Sequence, residues 1–260
     1  MNVANAGMRE DYDREGIKIV RSVIDSDLAL EGLAHIQWLL KKNPGLRPEQ
    51  LGNNLMSNDA FWVRLVGDDR LLDVAEQFIG PDIALFASHY IAKAPFDGQA
   101  VLWHQDGSYW PLEPMDVTTL WLCLDESTAE NGCMRVIPRS HHTQLQQMNE
   151  RRDVANVLNS GIDDAFVDES EAIDIVLGAG DVSIHHPNII HGSKVNASAK
   201  WRSGLTIRYI PTTTRIMRDG QWPSAFLLRG QAVAGINTYL PRPGWTEEKS
   251  MPFRGHGDCR

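Results

Sequence analysis

His104, Gln105 and Asp106, inside the stretch WHQDGSYW, set an imidazole and a carboxylate two residues apart. On an extended strand both side chains share one face, roughly 6–7 Å apart at about 3.3 Å rise per residue, so both can lean onto one metal ion. A second histidine would complete a site, and the later segment HHPNIIHGS offers His185, His186 and His191. Two histidines and one carboxylate with open positions left over form the ligand set of non-haem Fe(II) oxygenases. An HxD by itself is common, and its other reading is a hydrogen-bonded histidine–carboxylate pair on a surface strand. Gln105 points away from the metal by alternation and is expected to support the site rather than ligate.

The elements that must position these residues change character along the chain. From Asp25 the run DSDLALEGLAHIQWLLKKNPG has an acidic start, apolar residues at helical spacing (Leu30, Leu33, Ala34, Trp38) and a lysine pair before Asn43-Pro44, which predicts an amphipathic helix. A second helix is expected from about Asp69 to Phe78, ended by Gly80-Pro81. From Ile83 onward short β-rich runs broken by Gly, Pro, Asn and Asp follow one another: IALFASHYIAK, AVLWHQD, VTTLWLCLDE, CMRVIPRS, AIDIVLGAGDVSIHH, IIHGSKV and SGLTIRYIP. That spacing predicts an antiparallel sandwich or barrel. Thr119, Trp121 and Cys123 share one strand face, and Leu120, Leu122 and Leu124 share the other, which is expected to pack beneath the N-terminal helices. A polar stretch from about His142 reads as a partly helical insertion and lid, over about 142–170, and GWTEEKSMPFRGHGDCR as a surface tail.

The later motifs carry a family resemblance. HQD, the following LWLCLDESTAENGCMRVIPRSH, HGSxxN and WRSGLTIRYIP resemble, in this order, the phytanoyl-CoA dioxygenase family of Fe(II)/2-oxoglutarate oxygenases, over roughly residues 80 to 245. The resemblance implies a mainly β fold with flanking α: a double-stranded β-helix (jelly-roll, cupin-like) barrel at about 81–245 supported by N-terminal helices at about 14–80, all in one domain of 1–260. It also implies His104, Asp106 and His191 as iron ligands, with His185 and His186 as rivals that lack the HxS context and precede Pro187. Arg202 matches the family arginine that pairs with the distal carboxylate of 2-oxoglutarate, and Ser193 bonds the same carboxylate. Trp121 aligns with the tryptophan lining that pocket, with plain core packing as its other reading. His89 and Lys93, on one strand face, are candidates to touch 2-oxoglutarate or substrate, and Tyr109, Trp110 and the insertion are expected to hold substrate. Arg202, Gly204, Thr206 and Arg208 share a face, and Arg208, about 20 Å from Arg202 along the strand, is expected to lie too far away to share one ligand.

The implied activity is oxidation, foremost hydroxylation, of a C–H bond of a small molecule, consuming Fe(II)-bound O2 and 2-oxoglutarate and releasing succinate and CO2. Related halogenases replace the metal carboxylate by Gly or Ala, so Asp106 favours oxygenation. A cupin-type metalloenzyme that uses no 2-oxo acid and a non-catalytic barrel are the rival readings. The net charge of −9 argues against nucleic acid as a partner, and no apolar run approaches the roughly 20 residues that span a bilayer. Met1 to Asp13 is polar and lacks a leader's apolar core, and three cysteines make neither a disulfide framework nor a zinc module, so a reducing, cytoplasmic setting is expected. Cys123 reads as a small buried hydrophobe.

Overall fold

The computed structural model describes residues 3–259. Beside two small two-stranded sheets, alternation within the β-rich half, joined by one N-terminal strand, builds two main antiparallel sheets. Their strands are β1 (Ile17–Val20), β2 (Ile83–Tyr90), β3 (Val101–His104), β4 (Thr118–Cys123), β5 (Met134–Val136), β6 (Ile173–Ile175), β7 (Val182–His185), β8 (His191–Ser193), β9 (Gly204–Pro211) and β10 (Phe226–Arg229). The larger sheet runs β1-β7-β4-β9-β2-β10 and the smaller β3-β8-β5-β6. The order of crossovers is that of a double-stranded β-helix, with the two sheets facing each other as an open sandwich rather than a closed barrel.

Strand β4 shows why the layers stack as they do. Leu120 and Leu122, joined by Leu124 just beyond the strand, enter the main core with residues from the helices, while Trp121 and Cys123 face the smaller sheet and pack with Met134, Val136 and Ile189. The large sheet is therefore buried on both faces. Helices α1 (Val3–Glu15), α2 (Ser26–Lys42), α3 (Ala60–Val66) and α4 (Asp69–Ile79) supply the outer layer. Local chemistry sets the ends of two of them: Asp25 caps α2 by accepting from the Leu28 N–H, and α4 stops at Gly80, whose φ of 79° suits a residue without Cβ.

Several expectations are corrected. Helix α2 forms as predicted, but Leu30 is 63% exposed and Ala34 is exposed too. The buried face is instead Leu28, Ala29, Gly32, His35, Ile36 and Leu39. A buried histidine reorients the helix: the His35 Nε2–H donates to Asp59 Oδ2 at 2.8 Å, and its Nδ1 pairs with the Tyr90 hydroxyl at 2.9 Å. Asp59 in turn caps α3 by accepting from the Trp62 N–H. Helices α1 and α3 and strands β1 and β10 had no clear sequence signal, and β1 lies within the span expected to be helical.

The insertion contains no α-helix. It is a short hairpin, Asn149–Glu150 with Ser160–Gly161, followed by 3₁₀ turns at Asp164–Phe166 and Glu169–Glu171. It lies along β3, where the Val157 and Ile162 N–H groups donate to the Ala100 and Trp103 carbonyls. The C-terminal segment is not a loose surface tail, since Met251 and Phe253 are buried and Phe253 packs on Phe61 at 5.5 Å between ring centres. Among the described residues no helix is long and apolar enough to cross a membrane.

The polar link from His35 to Asp59 and Tyr90 joins α2, the start of α3 and β2 inside an apolar layer. Replacing His35 by Leu strands a buried carboxylate and a buried phenol, so His35→Leu is expected to cost about 2–5 kcal/mol in urea denaturation. Leu30→Ala, on the exposed face, should stay within about 0.5 kcal/mol of the parent. Equal effects from the two substitutions would mean that the histidine does not lock the helix layer.

Candidate metal centre and its cavity

Antiparallel pairing of β8 with β3 sets His191 opposite His104, and their rings lie 4.0 Å apart. Strand β3 ends at His104. Gln105 remains extended, with φ −123° and ψ 118°, and Asp106 opens a 3₁₀ turn through Ser108, so alternation still returns Asp106 to the face of His104. Ligand atoms of His104, Asp106 and His191 all lie within 4.8 Å of one another, and all three residues are buried. This burial rules out a surface histidine–carboxylate pair.

Each imidazole is held in the tautomer a metal needs. His104 donates its Nδ1–H to the Leu102 carbonyl at 2.8 Å, and His191 donates likewise to Ile189 at 3.0 Å, leaving both Nε2 lone pairs for a cation. Burial pushes His191 well below its ordinary proton affinity, and the neighbouring His104 adds to this, so His191 stays neutral and ready to ligate. For Asp106, burial opposes ionisation, but the Arg208 charge, with His104 and His185, holds the carboxyl well below the usual range. Gln105 does turn away: its Nε2 donates to the Asn188 carbonyl at 2.7 Å and its Oε1 accepts from the Gln146 N–H at 2.8 Å. It thereby ties the loop before β8 and the insertion to the turn that carries Asp106.

The triad opens onto a cavity of about 330 Å³ that runs between the sheets. Arg202 lines it, only 1% exposed, with its guanidinium 5.2 Å from the Trp121 ring centre. Gly204 makes this possible, because a Cβ there would overlap the Trp121 ring. Arg202 donates to the carbonyls of Gly132 at 3.1 Å and Ile91 at 2.9 Å, while its Nε is buried without a partner. Among the described residues no carboxylate forms an ion pair with it, and its burial keeps it from being a surface salt bridge. Burial lowers its pKa to about 10, which leaves it charged at neutral pH.

Ser193 and His89 also line the cavity. The His89 Nε2–H donates to the Glu49 carbonyl at 2.7 Å, and burial lowers its proton affinity. Lys93 is fully buried behind Ser193 rather than in the wall: its Nζ donates to Ser193 Oγ at 2.8 Å and to the Lys194 carbonyl. Burial, reinforced by Arg202, pushes Lys93 down to about 6. Tyr109 and Trp110 do not form the wall either. Tyr109 is 41% exposed with its hydroxyl 2.8 Å from Ser160 Oγ of the insertion, and Trp110 lies against Arg208, 5.0 Å from ring centre to guanidinium carbon.

Several wall residues were not singled out from sequence. His185 was weighed only as a ligand; it is buried with its Nε2 3.8 Å from Asp106 Oδ2, outside the triad, and both ring nitrogens lack hydrogen bonds. Arg208 Nη2 lies 3.6 Å from the same Asp106 oxygen. Arg208 and Arg202 line one cavity, as the shared parity of residues 202, 204, 206 and 208 signalled. Glu49 and Gln50, from the helical half, and Val157 and Leu158, from the insertion, had no local signal.

Comparison with known proteins agrees with this geometry. Residues 38–204 match the family described as Phytanoyl-CoA dioxygenase (PhyH). The chain is 31% identical over 147 residues to a probable alpha-ketoglutarate-dependent hypophosphite dioxygenase of Stutzerimonas stutzeri, covering 56% of this chain and 51% of that protein. It is 33% identical over 131 residues to phytanoyl-CoA dioxygenase 1 of Oryza sativa subsp. japonica, covering 50% and 45%. The chain thus spans about half the length of these curated relatives. Among solved structures, the apo form of the non-heme monooxygenase ThoJ superposes with a TM-score of 0.75 at 24% identity, over 91% of this chain and 88% of that one, a likeness of fold. With the family match extending over well more than half of its residues, the chain belongs to the phytanoyl-CoA dioxygenase family.

Proposed function

We propose that the protein is an Fe(II)- and 2-oxoglutarate-dependent dioxygenase that hydroxylates a C–H bond of a small molecule. One observation carries the reading: a cavity that joins a buried His-Asp-His triad to a buried arginine with no anion of its own. A guanidinium held in the interior without a counter-charge is costly unless a ligand supplies one, and the distal carboxylate of 2-oxoglutarate is such a ligand. A cupin-type enzyme without a 2-oxo acid leaves that charge unexplained.

In this reading the Nε2 atoms of His104 and His191 and the carboxylate of Asp106 hold the iron. Held there, iron would supply the redox chemistry by which 2-oxoglutarate, O2 and R–H would become succinate, CO2 and R–OH. Arg202 takes the distal carboxylate of the co-substrate through its free donors, beside Ser193, with the Trp121 ring 5.2 Å from its guanidinium. Lys93 sets the direction of the Ser193 hydroxyl from behind. The insertion lines the cavity through Val157 and Leu158, and its Ser160 holds the Tyr109 hydroxyl nearby. Substrate is a free small molecule and the setting cytoplasmic.

His104→Ala and Asp106→Ala should each weaken Fe(II) binding by more than about a hundredfold in anaerobic calorimetry and abolish succinate formation. Full activity in either variant sinks the triad. Arg202→Ala should raise the 2-oxoglutarate requirement by about 10–100-fold while iron still binds; an unchanged requirement means the distal carboxylate lies elsewhere.

Lys93 gives a pH test. Folding lowers its pKa from 10.5 to about 6, so between those values the unfolded chain binds more protons and stability rises with pH. Lys93→Met removes that slope. The variant should therefore be most favoured over the parent near about pH 6–7, with the difference shrinking towards about pH 10 in denaturant titrations. A constant difference across that range means Lys93 is charged in the folded protein.

A further inference from the structure

The charges around the cavity do not balance once the proposed iron and co-substrate are counted. Iron is met by Asp106 and the ligating carboxylate of 2-oxoglutarate, and Arg202 by the distal one. Glu49 is answered by Arg47, at 3.3 Å, and by the Gln99 N–H, at 2.9 Å. Lys93, with a pKa of about 6, carries little charge at neutral pH. Arg208 remains. Its nearest anion is the Asp106 carboxylate, at 3.6 Å beyond hydrogen-bond reach, and iron becomes the main cation for that group.

The Arg208 side chain is aimed and held rather than free. Trp110 lies over its guanidinium at 5.0 Å, and Nη1 donates to Thr206 Oγ1 at 3.1 Å, a hydroxyl oriented by its own bond to the His89 carbonyl at 3.0 Å. The side chain is 15% exposed and its Nε is buried without a partner, on a wall shared with Asp106. A planar cation locked this way, with donors to spare, fits an oxyanion through two parallel hydrogen bonds.

We propose that Arg208 is the anchor for an anionic group of the primary substrate, a carboxylate or phosphonate, so that the substrate is a compact acid oxidised a few bonds from that group. The inference rests on the dioxygenase reading and adds its substrate class. Two features set the compactness. Arg208 lies beside an iron ligand, and a cavity of about 330 Å³ stands at the small end of ligand pockets and must also hold the co-substrate.

The test uses the anaerobic protein loaded with Fe(II) and 2-oxoglutarate, read through the visible charge-transfer band of that complex. Absence of the band on adding 2-oxoglutarate overturns the dioxygenase reading itself, apart from any role of Arg208. With the band present, matched probes are titrated: L-proline against L-prolinamide, 3-phenylpropionate against its amide, and phenylphosphonate against its dimethyl ester. At least one acid should perturb the band at about tenfold lower concentration, or less, than its neutral partner. Carboxylates and phosphonates are told apart by which pair responds. In Arg208→Gln the acid-to-neutral ratio should collapse to near one, and Arg208→Lys, which keeps charge but loses the fork, should retain part of it. A parent protein that prefers no acid over its neutral partner, or a preference that survives in Arg208→Gln, overturns the proposal; the parent's ratio decides even if the glutamine variant does not fold.

Discussion

Cross-strand pairing of His104 with His191 is the constraint on which the rest of the molecule turns. Two imidazoles 4.0 Å apart can point free nitrogens at one point only if each is neutral and its ring cannot rotate. Backbone carbonyls two residues upstream of each histidine meet that need, and burial keeps His191 unprotonated. The strands that carry them are only four and three residues long, so their position depends on neighbours: Gln105 bridges the flanking loops, and the insertion lies along β3. The large sheet behind them is fixed in turn by the helical layer, where a buried polar link through His35 sets the face that α2 presents.

Electrostatics inside the cavity runs opposite to the protein as a whole. The chain has a formal net charge of −9, yet its central cavity gathers two arginines on one strand face, with a buried lysine behind them. Interior cations of this kind are stable only while burial and mutual repulsion are relieved by a ligand or by loss of a proton. Lys93 takes the second route, pushed down to about 6, while Arg202, at about 10, keeps its proton at neutral pH. The basic cavity offers a small anion a partner that the acidic exterior does not.

Much of the site was legible because its geometry is local. The period of two along HQD and along residues 202 to 208 follows from strand geometry alone, and so does the division of β4 into a leucine face and a Trp121 face. Helix ends at Asp25 and Gly80 were equally readable, since capping involves atoms within one turn. The residue types at the triad and at Arg202, together with their order, carried the family resemblance.

What remained was decided by contacts between segments far apart in the chain. The buried side of α2 depends on Asp59 and Tyr90, which complete the hydrogen bonds of His35 and make a histidine more deeply buried than Leu30. The C-terminal segment looked like a solvated tail because its few apolar residues find their partners only on the helical layer. Glu49 reaches the cavity wall from the helical half of the chain, and Arg208 reaches Asp106 across the sandwich. Sequence by itself determined which groups could do the chemistry and which faces they share, because those properties arise within a few residues. Only the tertiary structure decided which charges are left without partners, because that depends on everything the fold brings within a few ångströms of them.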